Sequence, residues 1–206
     1  MKETEIACYF SHKQAWEQVI RENEPSLILE DDALLSKKLS SNLKELYKKK
    51  GIDLLNLENR GRKKFLSKKG IKINKSSSIF QLYQDRTGAA AYILWPSGAK
   101  KLISHENLNG IALADAHITS CYSLLAFQIE PALAIQLDYA HYYGISDEID
   151  QISHSTVSCR YNAKGGLRFW IKRIKNQFKL GLRQVYISFF SNRRYVSIET
   201  SDFDIK

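Results

Sequence analysis

Four residues suited to a buried strand, Ser26-Leu27-Ile28-Leu29, run directly into three consecutive carboxylates, Glu30-Asp31-Asp32. Adjacent like charges repel one another, so a chain rarely places three acids at a strand end unless something cationic sits there. In open α/β sheets, ligands bind outside the carboxyl ends of the strands, where this triplet falls. Hard divalent ions such as Mg²⁺ or Mn²⁺ take carboxylate oxygens together with substrate phosphates. The junction therefore reads either as a metal–diphosphate site or as a solvated acidic turn.

The remaining segments alternate helix and strand around this junction. Residues 5–22 carry Ile6, Tyr9, Phe10, Trp16, Val19 and Ile20 for an apolar helix side, and Pro25 prevents continuation. Residues 34–49 return to helical spacing with a basic end, and Gly51 closes them. Residues 53–57 read as a second buried strand, residues 60–78 as an exposed basic loop, and residues 79–85 as an alternating strand. A small-residue strand over 87–94 leads into a helix from Trp95-Pro96-Ser97-Gly98. Its small residues suit close approach of a ligand or backbone, or tight strand–helix packing. Asp115, in an apolar and small-residue setting, is a functional carboxylate or a helix N-cap. A helix is expected from there through Ile118, Tyr122 and Leu125.

At 206 residues the chain is long enough for one domain with a proper core. No apolar run is long enough to span a bilayer, and the polar N-terminus lacks the apolar centre of a signal peptide. Cys8, Cys121 and Cys159 are odd in number and widely spaced, which favours reduced thiols over disulfides or a zinc site. The net charge of +9 is localised: residues 1–150 carry 20 basic and 19 acidic side chains, whereas residues 151–198 carry 10 basic and none acidic. Within that basic segment Leu167, Trp170, Ile171, Ile174, Phe178, Leu182, Val185, Tyr186 and Phe189 form one helical stripe. Lys and Arg flanking such a stripe suit a helix lying on an anionic membrane surface through residues 167–190, or a core-packing helix with solvated charges. No nucleic-acid motif accompanies the charge, so nucleic acid is not expected as a partner. The expected division is a domain over 1–160 and a basic amphipathic segment over 161–206.

The segments Ile6-Ala7-Cys8-Tyr9-Phe10-Ser11-His12, Trp16-Glu17 and Leu27-Ile28-Leu29-Glu30-Asp31-Asp32 together resemble the opening of glycosyltransferase family 25. That family comprises bacterial lipooligosaccharide galactosyltransferases and related collagen galactosyltransferase domains. The resemblance continues in order: the strand over 53–57, the block over 87–103 with its Gly-Ala-x-Lys-Leu helix, Asp115, the Pro131-to-Gln136 strand, and His154-Ser155-Thr156-Val157-Ser158. Family members also place an Ile-Asn-Leu-Asp-Arg strand before the Cys-x-x-Ser-His segment. This sequence opens almost at that segment, so the chain is expected to be N-terminally short and to lack that strand.

The resemblance implies an α/β fold, a GT-A-like (Rossmann-like) mixed sheet flanked by helices, with the basic amphipathic helix at its C-terminus. It implies a transferase that moves a hexose, galactose by family habit, from a UDP-sugar to a lipid-linked lipooligosaccharide acceptor with inversion. Mn²⁺ or Mg²⁺ would be held by Asp32 and Glu30, with Asp31 or Glu30 on the donor ribose and His12 orienting or contacting phosphate. Asp115 would be the general base, or else a further metal ligand. The implied location is the cytoplasmic side of a bacterial inner membrane, held peripherally. A non-catalytic membrane-associated remnant and a metal-dependent phosphohydrolase are the competing readings.

Overall fold

The computed structural model describes residues 1–145, 185 and 187–203. In chain order the elements are α1 (Glu3–Glu22), β1 (Ser26–Leu29), β2 (Ala33–Leu35), α2 (Leu39–Tyr47), β3 (Leu54–Asn56), β4 (Lys64–Ser67) and β5 (Ile71–Lys72). They continue as β6 (Ser78–Gln84), β7 (Ala91–Leu94), α3 (Pro96–Asn109), α4 (Ala114–Ser120), β8 (Ala126–Glu130), β9 (Ala134–Gln136) and β10 (Ser191–Arg194). The fold is mixed α/β. The main sheet runs β1-β7-β3-β8-β6-β4-β10, with β5 also on β6, and β2 and β9 form a separate pair. Within the main sheet β3 and β8 run parallel, and its other neighbours are antiparallel.

The helices cover both faces because β7 and β3 carry apolar side chains at consecutive positions. Tyr92, Leu94 and Leu54 turn toward Tyr9, Trp16 and Val19 of α1, Ala99 and Leu102 of α3, and Ile118 of α4. Ala91, Ile93 and Leu55 turn the other way, toward Leu39 and Leu46 of α2. This is the period-two alternation of a strand buried on both sides. Full burial of each large apolar side chain contributes roughly 1.5–3 kcal/mol, so this double layer supplies much of the folding drive.

Three expectations are corrected. The helix expected over 34–49 begins only at Leu39, because Leu34 and Leu35 pair with Ile135 and Ala134 in the β2–β9 ladder. The basic loop expected over 60–78 contains β4 and β5; Lys64 is fully buried and donates to Gln128 Oε1 (2.6 Å) and to the Glu58 carbonyl (3.2 Å). The helix expected through Leu125 ends at Ser120, and Ala126–Glu130 forms a central strand beside β3 and β6.

The basic helix expected over 167–190 lies almost wholly outside the described residues. Val185 and residues 187–190 are helical, with Ile187 buried. Residues 191–203 return to the sheet: β10 pairs with β4, Arg194 bonds Glu130 Oε1, and Asn59 Nδ2 donates to the Val196 carbonyl. No helix among the described residues is long and apolar enough to cross a membrane.

One polar group locks α3 to the sheet. Asp53, just before β3, accepts from Ser97 Oγ (2.6 Å), Lys101 Nζ (2.5 Å) and Leu125 N (2.7 Å). Burial pushes its carboxyl up, but those three donors outweigh it and hold it below its ordinary value. Gly98 belongs to the same contact, since a Cβ there would lie 2.2 Å from the Asp53 carbonyl oxygen. Of the two readings of the small-residue block, tight strand–helix packing describes this glycine. Gly98→Ala is expected to destabilise the fold by about 1–3 kcal/mol, read as a lower urea midpoint. Because the Asp53 carboxyl is depressed, its contribution is complete above about pH 4 and is lost as pH falls through the folded value. The stability gap between wild type and Asp53→Asn should therefore narrow on acidification.

Candidate donor-binding cleft

A cleft of about 480 Å³ lies between α1 and the carboxyl end of β1, lined by Cys8, Ser11, His12, Ala15, Ile28 and Leu29 together with Glu30, Asp31 and Asp32. Helix α1 is set at both ends. Lys2 N donates to Glu5 Oε2 (2.8 Å), and Asn23 adopts the left-handed conformation (φ 56°) ahead of Pro25. Cys8 and His12 are one helical turn apart and share a face. Strand β1 continues its ladder one residue further, with Glu30 N donating to the Ala90 carbonyl (2.8 Å), and Ala33 N closes the acidic turn on the Glu30 carbonyl (3.2 Å).

A buried chain of hydrogen bonds joins the helix to the acidic turn. Trp16 Nε1 donates to Tyr92 Oη (2.8 Å), Tyr92 Oη lies 2.9 Å from His12 Nδ1, and His12 Nε2 lies 2.9 Å from Glu30 Oε1. One assignment places every proton. Tyr92 accepts from Trp16 and donates to His12 Nδ1, while His12 Nε2–H donates to Glu30. His12 is thus satisfied on both nitrogens as well as lining the cleft.

The three acids diverge. Glu30 turns to His12. Asp32 accepts from Gln136 Nε2 (3.1 Å), and its carbonyl oxygen accepts from Leu137 N (2.9 Å). Asp31 is exposed. Burial, then the Glu30 and Asp31 charges, push the Asp32 carboxyl up despite the Gln136 bond. Its Oδ1 is buried and has no donor among the described residues. An orphaned carboxylate oxygen beside two further carboxylates matches the donor chemistry of a hard divalent cation. Asp115, in the first turn of α4, joins the same neighbourhood: burial raises the Cys8 thiol first, and Glu30, Asp115, Asp32 and Asp31 raise it further.

A second polar cluster adjoins, and it was not singled out from sequence. Arg60 Nη1 lies 3.8 Å from Asp115 Oδ2, and its guanidinium sits over the Tyr139 ring at 5.4 Å. Glu58 is fully buried; its Oε2 accepts from Ala90 N (2.8 Å), while Oε1 has no donor among the described residues. Burial pushes its carboxyl well above the ordinary range, against the pull of Lys64 and Arg60. Gly88 (φ 99°) is required here, because a Cβ would overlap Glu58 Oε1. The available signal was position: Glu58 and Arg60 leave the carboxyl end of β3, as Glu30 leaves that of β1.

Tyr92→Phe removes the shared hydroxyl and orphans the buried Trp16 N–H and His12 Nδ1. It should cost about 1–3 kcal/mol in urea unfolding, and an unchanged midpoint would contradict the hydrogen-bond chain.

The lipooligosaccharide biosynthesis protein lic2B of Haemophilus influenzae is 25% identical over 146 residues, covering 66% of this chain and 55% of that protein. The chain thus spans about half the length of that curated relative. The profile of glycosyltransferase family 25 (LPS biosynthesis protein) matches residues 1–117, which include α1, the acidic turn, Glu58, Arg60, Tyr92 and Asp115. With more than half of its length inside that match, the chain belongs to glycosyltransferase family 25.

Proposed function

We propose that this chain carries the donor site of an inverting, GT-A-like hexosyltransferase of lipooligosaccharide assembly. It would take a UDP-hexose, galactose by family habit, and pass the sugar to a lipid-linked oligosaccharide. The observation that carries this reading is the acidic turn at the carboxyl end of β1, which lines the cleft and in which the buried Asp32 Oδ1 has no donor among the described residues. Asp32 would hold Mn²⁺ or Mg²⁺ together with Glu30, and when bound that ion would neutralise charge on the leaving diphosphate. Asp31, the exposed acid of the turn, would accept from donor hydroxyls. His12 keeps Glu30 oriented.

Asp115 is the proposed general base. It stands at the start of α4, 37% exposed, so an acceptor hydroxyl can reach its carboxylate and surrender a proton to it. Arg60 Nη1 lies 3.8 Å from its Oδ2, which fixes the direction of the carboxylate. Inversion asks for one such base and one in-line displacement, with the sugar–diphosphate bond breaking as the new glycosidic bond forms. The basic residues of the 167–190 stretch would hold the protein peripherally at the cytoplasmic face of the inner membrane, beside the lipid-linked acceptor.

Calorimetry with UDP tests the donor site. Binding should require Mn²⁺ or Mg²⁺ and should weaken at least about tenfold in Asp32→Ala. Binding that ignores both the ion and Asp32 would overturn the assignment. Asp115→Asn should lower transfer by roughly 10²-fold or more while leaving UDP affinity within a few fold. Equal losses in both would make Asp115 a metal ligand instead.

A further inference from the structure

Facing the same cleft is a group of ligand atoms of a different chemical character. Cys8 Sγ, His12 and Glu30 offer a sulfur, an imidazole nitrogen and a carboxylate oxygen, all within 4.8 Å of one another. It is the one such trio of His, Cys, Asp or Glu among the described residues, and neither Asp31 nor Asp32 belongs to it. We propose that Cys8, His12 and Glu30 form a second cation site, selective for a borderline or thiophilic divalent ion of the Zn²⁺ class over Mg²⁺. The proposal goes beyond the donor-site reading and shares with it Glu30, His12 and the cleft.

The geometry is close to what such an ion needs. Bond lengths of about 2.0–2.3 Å place the ligand atoms of a four-coordinate zinc roughly 3.3–3.6 Å apart. Here Glu30 Oε1 lies 2.9 Å from His12 Nε2 and 4.0 Å from Cys8 Sγ, so the required spacing falls between the two. Cys8 is exposed on the rim, which leaves its side chain free to turn inward and gives the ion a way in. Three protein ligands leave a fourth position toward the cleft for water or another oxygen donor.

The surroundings are those of a supported site. His12 Nδ1 faces Tyr92 Oη, which Trp16 Nε1 fixes in turn; a metal-binding imidazole characteristically has its second nitrogen held in this way. On binding, Nε2 becomes the ligand, Nδ1 carries the ring proton and donates to Tyr92 Oη, and the Cys8 thiol releases its proton to solvent. Asp31, Asp32 and Asp115 add negative charge around Cys8, which disfavours a bare thiolate and favours a divalent cation beside it. Sulfur and imidazole together exclude the hard ions that an all-carboxylate site accepts.

Titration of the purified chain with Co²⁺, in excess Mg²⁺ and a non-thiol reductant, tests the site. Wild type should show a near-ultraviolet thiolate-to-cobalt charge-transfer band saturating at one ion per chain. Cys8→Ser should lose the band with an unchanged circular dichroism spectrum, as expected for an exposed residue. Glu30→Gln, which keeps an acceptor for His12, should retain the band with at least about tenfold weaker Co²⁺ affinity. Asp32→Asn should keep the band, with Co²⁺ affinity lowered no more than a few fold by the lost charge, which separates this site from the donor site: failed UDP binding would leave the cobalt spectrum intact. No band in wild type, or a band that persists in Cys8→Ser, would overturn the proposal.

Discussion

The contact between His12 and Glu30 joins the two halves of the cleft. Glu30 ends β1 at the edge of the sheet, and His12 lies in the middle of α1, so their 2.9 Å contact fixes the helix against the acidic turn. Behind it, Tyr92 and Trp16 extend the connection into the core of the α1–sheet interface, where neither ring is exposed. A polar chain in that position is rigid only while every member is satisfied. That requirement orients Glu30 toward α1 and leaves Asp32 to Gln136, dividing three like charges among separate partners.

The sheet repeats this strategy of polar anchors within apolar layers. Asp53 ties α3 and the β8 approach to β3, while buried Lys64 links β4 to Gln128 of β8 and to the chain at Glu58. The Asp53 anchor lies at the amino ends of β3 and β8, and the Lys64 anchor reaches Glu58 just beyond the carboxyl end of β3. Glu58 emerges from β3 into the cluster with Arg60, Asp115 and Tyr139, so the carboxyl ends of β1 and β3 and the start of α4 converge on one side of the molecule. Residues 191–203 then fasten the far edge through β10.

Much of this was legible in the sequence where local pattern and tertiary role agree. Helix α1 has periodic aromatics, an acidic first turn and Pro25 beyond its end, and the β1–acid junction is contiguous. The elements missed were those in which a partner overrides local composition. Lys64 reads as a solvated charge until Gln128 is opposite it; Leu34 and Leu35 read as helix until β9 supplies an edge; Ser191–Arg194 has no apolar pattern and pairs through its backbone. At the cleft, the acids and Asp115 were singled out by residue type and setting, and His12 by the family resemblance. The pairing of Cys8 and His12 with Glu30 was not, because it spans 18 residues between His12 and Glu30 and depends on how α1 lies on the sheet.

Hydrogen exchange with and without UDP and Mn²⁺ is the most direct measurement of whether this cleft is the donor site. Ligand should slow exchange in residues 28–33 and in the start of α4 around Asp115, with little change along β4, β5 and β10. Protection confined to those distant strands, or absent throughout a folded sample, would contradict the placement of the donor between α1 and the acidic turn.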